Sequence, residues 1–402
     1  MTALLWISLA LVAFSYVGYP LALAVWTGLR EALDATRALG ADRDGSAEAT
    51  EAPLPKLSIV MSAFDEEACI RAKVENCLAL DYPPDRLEIV IGCDGCSDRT
   101  AQIARDAGGD RVRVLELAPR GGKASVLARL VPAAQGDVVV LTDANTMLAR
   151  GAVRALARRF RDPDVGAAVG RLRLVAAGGA GLEEGVYWRY ETLLKYYEGR
   201  NGCVLGANGG LYAIRRVLFS PLPADTIVDD FVVPLRVAIG GWRVPFVPDA
   251  VAFEEAAAGS RAEFARRARI GAGNWQALAR MPELLDPRRG FLSFAFVSHK
   301  LLRWAAPALL AAALVANVAV AASPGAWGYR ALLALHLAFY GLALAGGHRR
   351  GRARAPRLAT AAHHFVAMNA ALAVGFWRWV RGSQRPAWDR TERVQQGGVG
   401  AA

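Results

Sequence analysis

Histidine is missing from most of this chain. All five, His299, His336, His348, His363 and His364, lie at position 299 or beyond. A general base anywhere in residues 31–298 therefore has to be a carboxylate, a lysine, a tyrosine or a cysteine. This argues against a Ser-His-Asp hydrolase and against a histidine-ligated zinc enzyme. Lysine is scarce as well: Lys56, Lys73, Lys123, Lys195 and Lys300 are the full set. Cysteine is limited to Cys69, Cys77, Cys93, Cys96 and Cys203. Cys93 and Cys96 form a C-x-x-C, but no second such pair and no neighbouring histidine completes a metal site. Neither G-x-G-x-x-G nor G-x-x-x-x-G-K-[ST] occurs, so neither a dinucleotide fold nor a P-loop kinase is indicated.

Charge is also thin, at 21% of residues against 54% apolar, and the apolar excess sits at the two ends. Residues 3–26 (ALLWISLALVAFSYVGYPLALAVW) carry no charge and exceed the roughly 20 residues that span a bilayer core. The run has no basic n-region, is too long for a signal peptide and precedes no clear cleavage site, so it reads as a retained anchor. Residues 304–322 and 331–346 form second and third candidate spans. Residues 358–380 form a weaker fourth, because they contain His363, His364 and Asn369.

The net charge of +11 admits two readings, nucleic-acid binding or a membrane protein with arginines flanking its spans. Arg30 follows the first span, and Arg349, Arg350, Arg352, Arg354 and Arg357 follow the third. No basic-aromatic interleaving of the RNA-reading type is present. Membrane lipids with anionic head groups are therefore the expected partners, and nucleic acid is not. Arg30 places residues 31–300 in the cytoplasm of a bacterial-type inner membrane. A full fourth span would put Arg378, Arg381, Arg385 and Arg390 outside, so either that segment is interfacial or the charge rule is broken there.

Between the ends, short apolar runs alternate with helical patterns. Strands are expected at 57–63, 87–93, 111–117 and 137–142, with helices at 66–80, 98–107 and 123–133. This alternation predicts an α/β fold with a mostly parallel, doubly wound sheet, whose ligands bind at the carboxyl ends of the strands. Polar residues cluster at those ends. Phe64-Asp65-Glu66-Glu67 follows the first strand, Asp94-Gly95-Cys96-Ser97-Asp98 the second, and Asp143 with Asn145 the fourth.

Further stretches have a functional and a plain reading. Gly121-Gly122-Lys123 before a helix suits a phosphate, or is an ordinary loop with a surface lysine. The glycines of residues 206–210 (GANGG) allow close approach to a ligand, or make a simple hairpin. Asp229 and Asp230 open a helix, where capping is the plain alternative to chemistry. Residues 261–273 (RAEFARRARIGAG) form a basic amphipathic stretch suited to a membrane surface or a phosphate.

The order MSAFDEE, CDGCSDRT, GGKA, TDAN, GANGG, VDDF, RRARIGAG resembles the inverting family 2 glycosyltransferases with the GT-A fold. It resembles in particular their membrane-bound branch, which includes cellulose, hyaluronan and poly-N-acetylglucosamine synthases. No single motif is decisive; seven in order carry the resemblance, over residues 57 to about 275.

The resemblance implies roles residue by residue. Ala63, Phe64, Asp65 and Glu66 match the P-A-Y-N-E turn that holds the nucleotide base, with Ser62 in place of the proline and Asp65 in place of the asparagine. Asp94 matches the aspartate on base and ribose, and Lys123 the lysine near the diphosphate. Asp143 and Asn145 match the D-x-D motif, whose cofactor is a divalent cation, Mg²⁺ or Mn²⁺. Asp230 matches the general base of the E-D pair, with Asp229 in the glutamate's place. Arg266 and Arg269 fall in the Q-x-x-R-W region, where the family tryptophan is replaced by Ile270 and Trp275 comes five residues later.

The implied enzyme moves a sugar from a nucleotide-sugar donor, a UDP-sugar by family preference, to a lipid-linked or glycan acceptor at the cytoplasmic membrane face. The missing tryptophan favours single addition over processive synthesis. A non-catalytic nucleotide-sugar-binding membrane protein would be signalled by loss of Asp143 or Asp230, and both are present. A nucleotidyltransferase would carry a Gly-rich, arginine-containing loop after the first strand, where MSAFDEE is acidic. The expected layout is an anchor at 1–30, a linker at 31–55, the GT-A domain at 56–290, two or three transmembrane or interfacial helices at 291–382, and a polar tail at 383–402.

Overall fold

A computed structural model describes residues 1–40, 53–175, 185–255, 260–348 and 356–385. Residues 41–52 of the expected linker, the arginines at 349–354 and the tail from 386 lie outside the described residues. The chain divides into a helical unit (Met1–Ala22, Gly259–Gln276, Ser293–Gln384) and a sheet-bearing unit made chiefly of Leu23–Ala258 and Ala277–Leu292.

The chain starts as α1 (Thr2–Ala13), passes a π-helical turn at Phe14–Gly18 and continues as α2 (Tyr19–Gly40). The first ten residues of the expected linker are therefore helical. Residues 30–39 (REALDATRAL) are mostly strong helix formers, and no glycine or proline interrupts them before Gly40.

The sheet unit holds β1 (Leu57–Ala63), α3 (Ile70–Leu78), β2 (Leu87–Asp94), α4 (Thr100–Gly108), β3 (Val112–Leu117), α5 (Lys123–Ala133) and β4 (Val138–Leu141). It continues with β5 (Met147–Leu148), α6 (Ala152–Arg159), β6 (Ala167–Val175), α7 (Val186–Arg200), β7 (Tyr212–Arg215), α8 (Asp229–Ile239) and β8 (Phe246–Glu255). The strand order is β3-β2-β1-β4-β7-β6-β8-β5. The expected parallel, doubly wound sheet is its first half: β1 runs parallel to β2, with Ile59 opposite Ile89, and to β4, with Ile59 opposite Val140. The second half is mixed. β7 is antiparallel to both β4 and β6, β5 is antiparallel to β8, and β6 with β8 is parallel.

Both faces of the parallel half are covered at its centre, which is why β1, β2 and β4 are mostly apolar there, whereas the edge strand β3 exposes Arg113 and Glu116. Ile59, Met61, Ile89 and Ile91 join Ile70, Val74 and Cys77 of α3 and Leu156 of α6 in one buried cluster. On the opposite face, a Cβ at Gly92 would lie 2.4 Å from Val126 and 2.8 Å from Leu130, so α5 sits directly on β2. Each such fully buried aliphatic side chain contributes about 1.5–3 kcal/mol.

The helical unit takes in α9 (Ser260–Arg280) as far as Gln276 and, from Ser293, α10 (Phe291–Ala295), which runs through a π-helical turn at Phe296–Leu301 into α11 (Leu302–Ala321). α12 (Trp327–His348) and α13 (Arg357–Val380) complete it. Leu5 of α1 packs on Ala313 and Ala316 of α11. Four segments are long and apolar enough to cross a membrane: Thr2–Leu33, Phe291–Ala321, Trp327–His348 and Arg357–Val380. The weak fourth candidate of the sequence thus belongs to a helix of full spanning length.

Candidate active site

The carboxyl ends of β1, β2 and β4 carry the acidic turns, as the alternating pattern requires. At the β1 and β2 end, Asp65 adopts φ +51°, a left-handed conformation favoured by short polar side chains. Its carboxylate accepts hydrogen bonds from the Ser97 amide at 2.7 Å and the Ser97 hydroxyl at 3.1 Å. The Glu66 amide donates to Thr100 Oγ1 at 2.8 Å. The Arg120 guanidinium lies over the Phe64 ring, 3.5 Å from its centroid. Asp94 is buried and accepts from the Gly121 and Gly122 amides at 2.7 and 2.8 Å, one oxygen each. Asp94 thereby sets the loop that opens α5. Ala63, Phe64, Asp65, Glu66 and Asp94 thus share one sheet edge with the Gly121-Gly122 loop.

Lys123 is the first residue of α5, and its ammonium reaches across to β4 and α8. Lys123 Nζ lies 2.7 Å from Asp143 Oδ1 and 3.3 Å from Asp229 Oδ2. Burial alone would push this ammonium down; the charges of Asp143, Asp229 and Asp230 outweigh it and hold the pKa above the ordinary lysine range. Asp229 and Asp230 are the first two residues of α8; neither caps it, because Val228 is the N-cap and no side chain caps the helix, but both stand in the first turn, where the helix dipole favours a carboxylate. Asp229 is buried and Asp230 partly exposed. The Asp230 carbonyl accepts from the Ala207 amide at 2.9 Å, which ties the Gly-rich loop to this helix start.

Tyr212 completes the cluster from β7. Burial pushes its phenol well above the ordinary range, and the charges of Asp229, Asp230 and Asp143 push it the same way. Among the described residues, Tyr212 Oη and Asp229 Oδ2 are both buried with no hydrogen bond of ordinary geometry; Asp229 Oδ2 stands at ion-pair distance from Lys123. A Cβ on Gly209 would stand 2.8 Å from Asp143 Oδ2 and 3.4 Å from Lys123 Nζ, so the Gly-rich loop comes into direct contact with the acidic turn. Asn145 Nδ2 donates to Glu254 Oε1 at 3.4 Å, which leaves its amide oxygen as the atom able to meet a cation. Two hard oxygen donors two residues apart, beside buried polar atoms with unmet capacity, fit an oxygen-seeking divalent cation.

The remaining expected residues, Arg266 and Arg269, belong to α9 in the helical unit. There Arg266 pairs with Glu263 at 2.8 Å on its own helix. Gly209 lies in the Gly-rich stretch expected from sequence to allow close approach to a ligand, whereas Tyr212 was not singled out. A tyrosine two residues past a double glycine, at the start of a strand, carries no signal of charge coupling until β7 is placed beside β4.

The architecture and the acidic edge define an α/β fold of the GT-A type. The chain matches the solved structure of a mannosyltransferase from Pyrobaculum calidifontis, PcManGT, in complex with GDP-Man and Mn²⁺. The match has a TM-score of 0.65 at 26% identity and covers 94% of this chain and 99% of that one. Residues 55–273 match the family described as glycosyltransferase like family 2, and the chain belongs to that family. Among curated relatives, it is 28% identical to the probable glycosyltransferase YdaM of Bacillus subtilis, over 55% of this chain and 56% of that protein. It is 26% identical to the beta-monoglucosyldiacylglycerol synthase of Synechocystis, over 66% of this chain and 59% of that protein. The chain thus spans a little over half the length of these curated relatives.

Proposed function

We propose that this chain is an inverting glycosyltransferase. It moves one sugar at a time from a nucleoside-diphosphate donor to a lipid-linked or saccharide acceptor, with its site on the cytoplasmic side of an inner membrane. The observation that carries the reading is the buried Lys123 ammonium held between Asp143 and Asp229, with Asp230 beside it at the start of α8.

The chemistry follows from those positions. The acceptor hydroxyl oxygen forms a bond to the anomeric carbon while the bond from that carbon to the diphosphate oxygen breaks, its electron pair leaving with the diphosphate. Asp230, the more exposed of the two carboxylates, takes the acceptor proton. Asp229, buried against Lys123, holds the ammonium instead. Lys123 offsets the charge that grows on the departing diphosphate. Asp143 and the Asn145 amide oxygen would hold Mg²⁺ or Mn²⁺, which would supply further positive charge to that leaving group. One displacement inverts the anomeric centre and needs no enzyme nucleophile.

Asp65, Glu66, Phe64 and Ala63 form the base-side turn, with Arg120 over Phe64 as its cover. Arg266 and Arg269 are assigned to the diphosphate by resemblance. Single addition is supported by Trp275: its ring lies 5.1 Å from Phe376 and 6.1 Å from Trp379, inside an aromatic cluster of the helical unit. The acceptor class is supported by the four apolar helices and by the diacylglycerol product named for the Synechocystis relative.

The test is donor turnover by the full chain in detergent. UDP-, GDP- and dTDP-sugars are offered with Mg²⁺ or Mn²⁺, and released nucleoside diphosphate is measured. The GDP-Man of the solved mannosyltransferase sets GDP beside the UDP expected from sequence. Metal-dependent release from one nucleotide class supports the reading. Donor binding without release, even with a membrane extract as acceptor source, overturns it.

A further inference from the structure

Behind the Asp143 turn stands a lysine with no exposed surface. Lys73, on α3, is 0% exposed, and its ammonium donates to Thr142 Oγ1 at 3.0 Å and to the Thr146 carbonyl. Thr142 Oγ1 in turn donates to the Gly210 carbonyl at 2.7 Å. One helical turn further along α3, Asn76 holds Leu148 through both of its backbone groups: Nδ2 donates to the carbonyl at 2.9 Å, and Oδ1 accepts from the amide at 2.8 Å. A single helix therefore grips both ends of residues 142–148, the segment that carries Asp143 and Asn145. Within it, the Thr146 amide closes on the Asp143 carbonyl at 3.2 Å.

The grip extends to the Gly-rich loop. A Cβ at Gly210 would stand 3.1 Å from Thr146 Cγ2, so the Gly210 backbone packs against the Thr146 side chain where Thr142 bonds across. Lys73, Thr142 and Gly210 form a continuous line from α3 to the loop that touches Asp143.

Lysine is a costly choice at such a place. Burial pushes its ammonium below the ordinary range, with Cys77 and Asp143 among the groups that oppose this. A methionine of similar size would fill the space without the desolvation penalty. What lysine adds is a set of directed donors.

We propose that Lys73 and Asn76 are positioning residues for the Asp143–Asn145 turn. They touch neither donor nor acceptor and fix the turn so that Asp143, Lys123 and the cation meet in one geometry. This rests on the function proposed above for Asp143. Partners of this kind behind a ligand typically carry a 10- to 100-fold effect on metal affinity or activity.

The test uses the full chain in detergent with Lys73→Met, Thr142→Val and Thr142→Ser. Three quantities are read: amide hydrogen exchange of residues 143–148 in metal-free protein, Mn²⁺ binding by electron paramagnetic resonance, and the melting temperature. The account expects Lys73→Met to speed exchange in that segment and to weaken Mn²⁺ binding, each by about tenfold or more, while melting changes little. Thr142→Ser, which keeps the hydroxyl, should behave as wild type, and Thr142→Val as Lys73→Met.

Unchanged exchange and Mn²⁺ affinity in a folded Lys73→Met protein overturn the proposal. So does a loss spread evenly over all segments together with a lowered melting temperature, since that marks an ordinary core residue. If Lys73→Met does not fold, the contrast between the two Thr142 variants decides. If wild-type protein binds no Mn²⁺, the proposed cation role fails, and the exchange measurement still decides whether the grip exists.

Discussion

Lys123 and Asp143 meet at 2.7 Å, from the first residue of a helix on one side and the turn after a central strand on the other. The pair is not an incidental surface contact. The lysine side chain is almost wholly buried, and a second carboxylate, Asp229, stands 3.3 Å from the same nitrogen. The positive end of α5 adds to the ammonium's field. The result is a compact, preorganised positive centre facing the acidic edge of the sheet.

Removing that centre leaves carboxylates facing each other. Lys123→Met should destabilise the sheet unit by about 3 kcal/mol, as expected when one partner of a buried ion pair is lost, and should lower kcat/KM by about a hundredfold or more. Thermal melting with and without Mn²⁺ checks both halves of the argument. The cation should raise the melting temperature of the variant more than that of wild type, because it replaces the missing charge.

Gly209 offers a sharper probe, since no charge changes. A Cβ there would approach Asp143 Oδ2 to 2.8 Å, closer than real contacts allow. Gly209→Ala should weaken metal activation by about tenfold to a hundredfold through misplacement of the carboxylate, with little change in melting. Titration of activity against Mn²⁺ measures the shift.

Tyr82 connects the fold to pH. Its hydroxyl donates to the Pro55 carbonyl at 2.6 Å, and burial raises its pKa from the ordinary value of 10.0 to about 12, with Arg154 and Arg86 opposing. A raised folded-state pKa gives stability that is fully present below the unfolded value and lost as pH rises through the folded one. Native stability should therefore fall between pH 10 and about 12. Tyr82→Phe should cost about 1 kcal/mol at neutral pH from the lost hydrogen bond and flatten that alkaline decline. Denaturant melts across this pH range provide the check.

The parallel half of the sheet and the acidic turns at its edge were legible in the sequence, because β1, β2 and β4 are apolar runs bounded by helices. α5 begins and ends where the pattern places it, at Lys123 and Ala133. The strands β5, β6 and β8 were not assigned. β5 is two residues long, and β8 contains Pro248 and Asp249; both form through partners far away in sequence, which local pattern does not encode. In the site, the charged residues at strand ends were visible as motifs. Lys73 and Asn76 were not, since a polar residue on a mostly apolar helix looks like a solvent-facing position. Only the packing of α3 against the 142–148 segment shows that both point inward.

The two carboxylates that open α8 have separate jobs in this account, and the most direct test takes one away without altering shape. Asp230→Asn keeps the size of the side chain and removes its ability to accept a proton. Sugar transfer is measured for wild type and variant, with donor binding measured in parallel. The account predicts transfer lower by about 10²–10⁴-fold, the range of a lost general base, with donor and Mn²⁺ binding near wild type. Transfer at the wild-type rate in Asp230→Asn would contradict it.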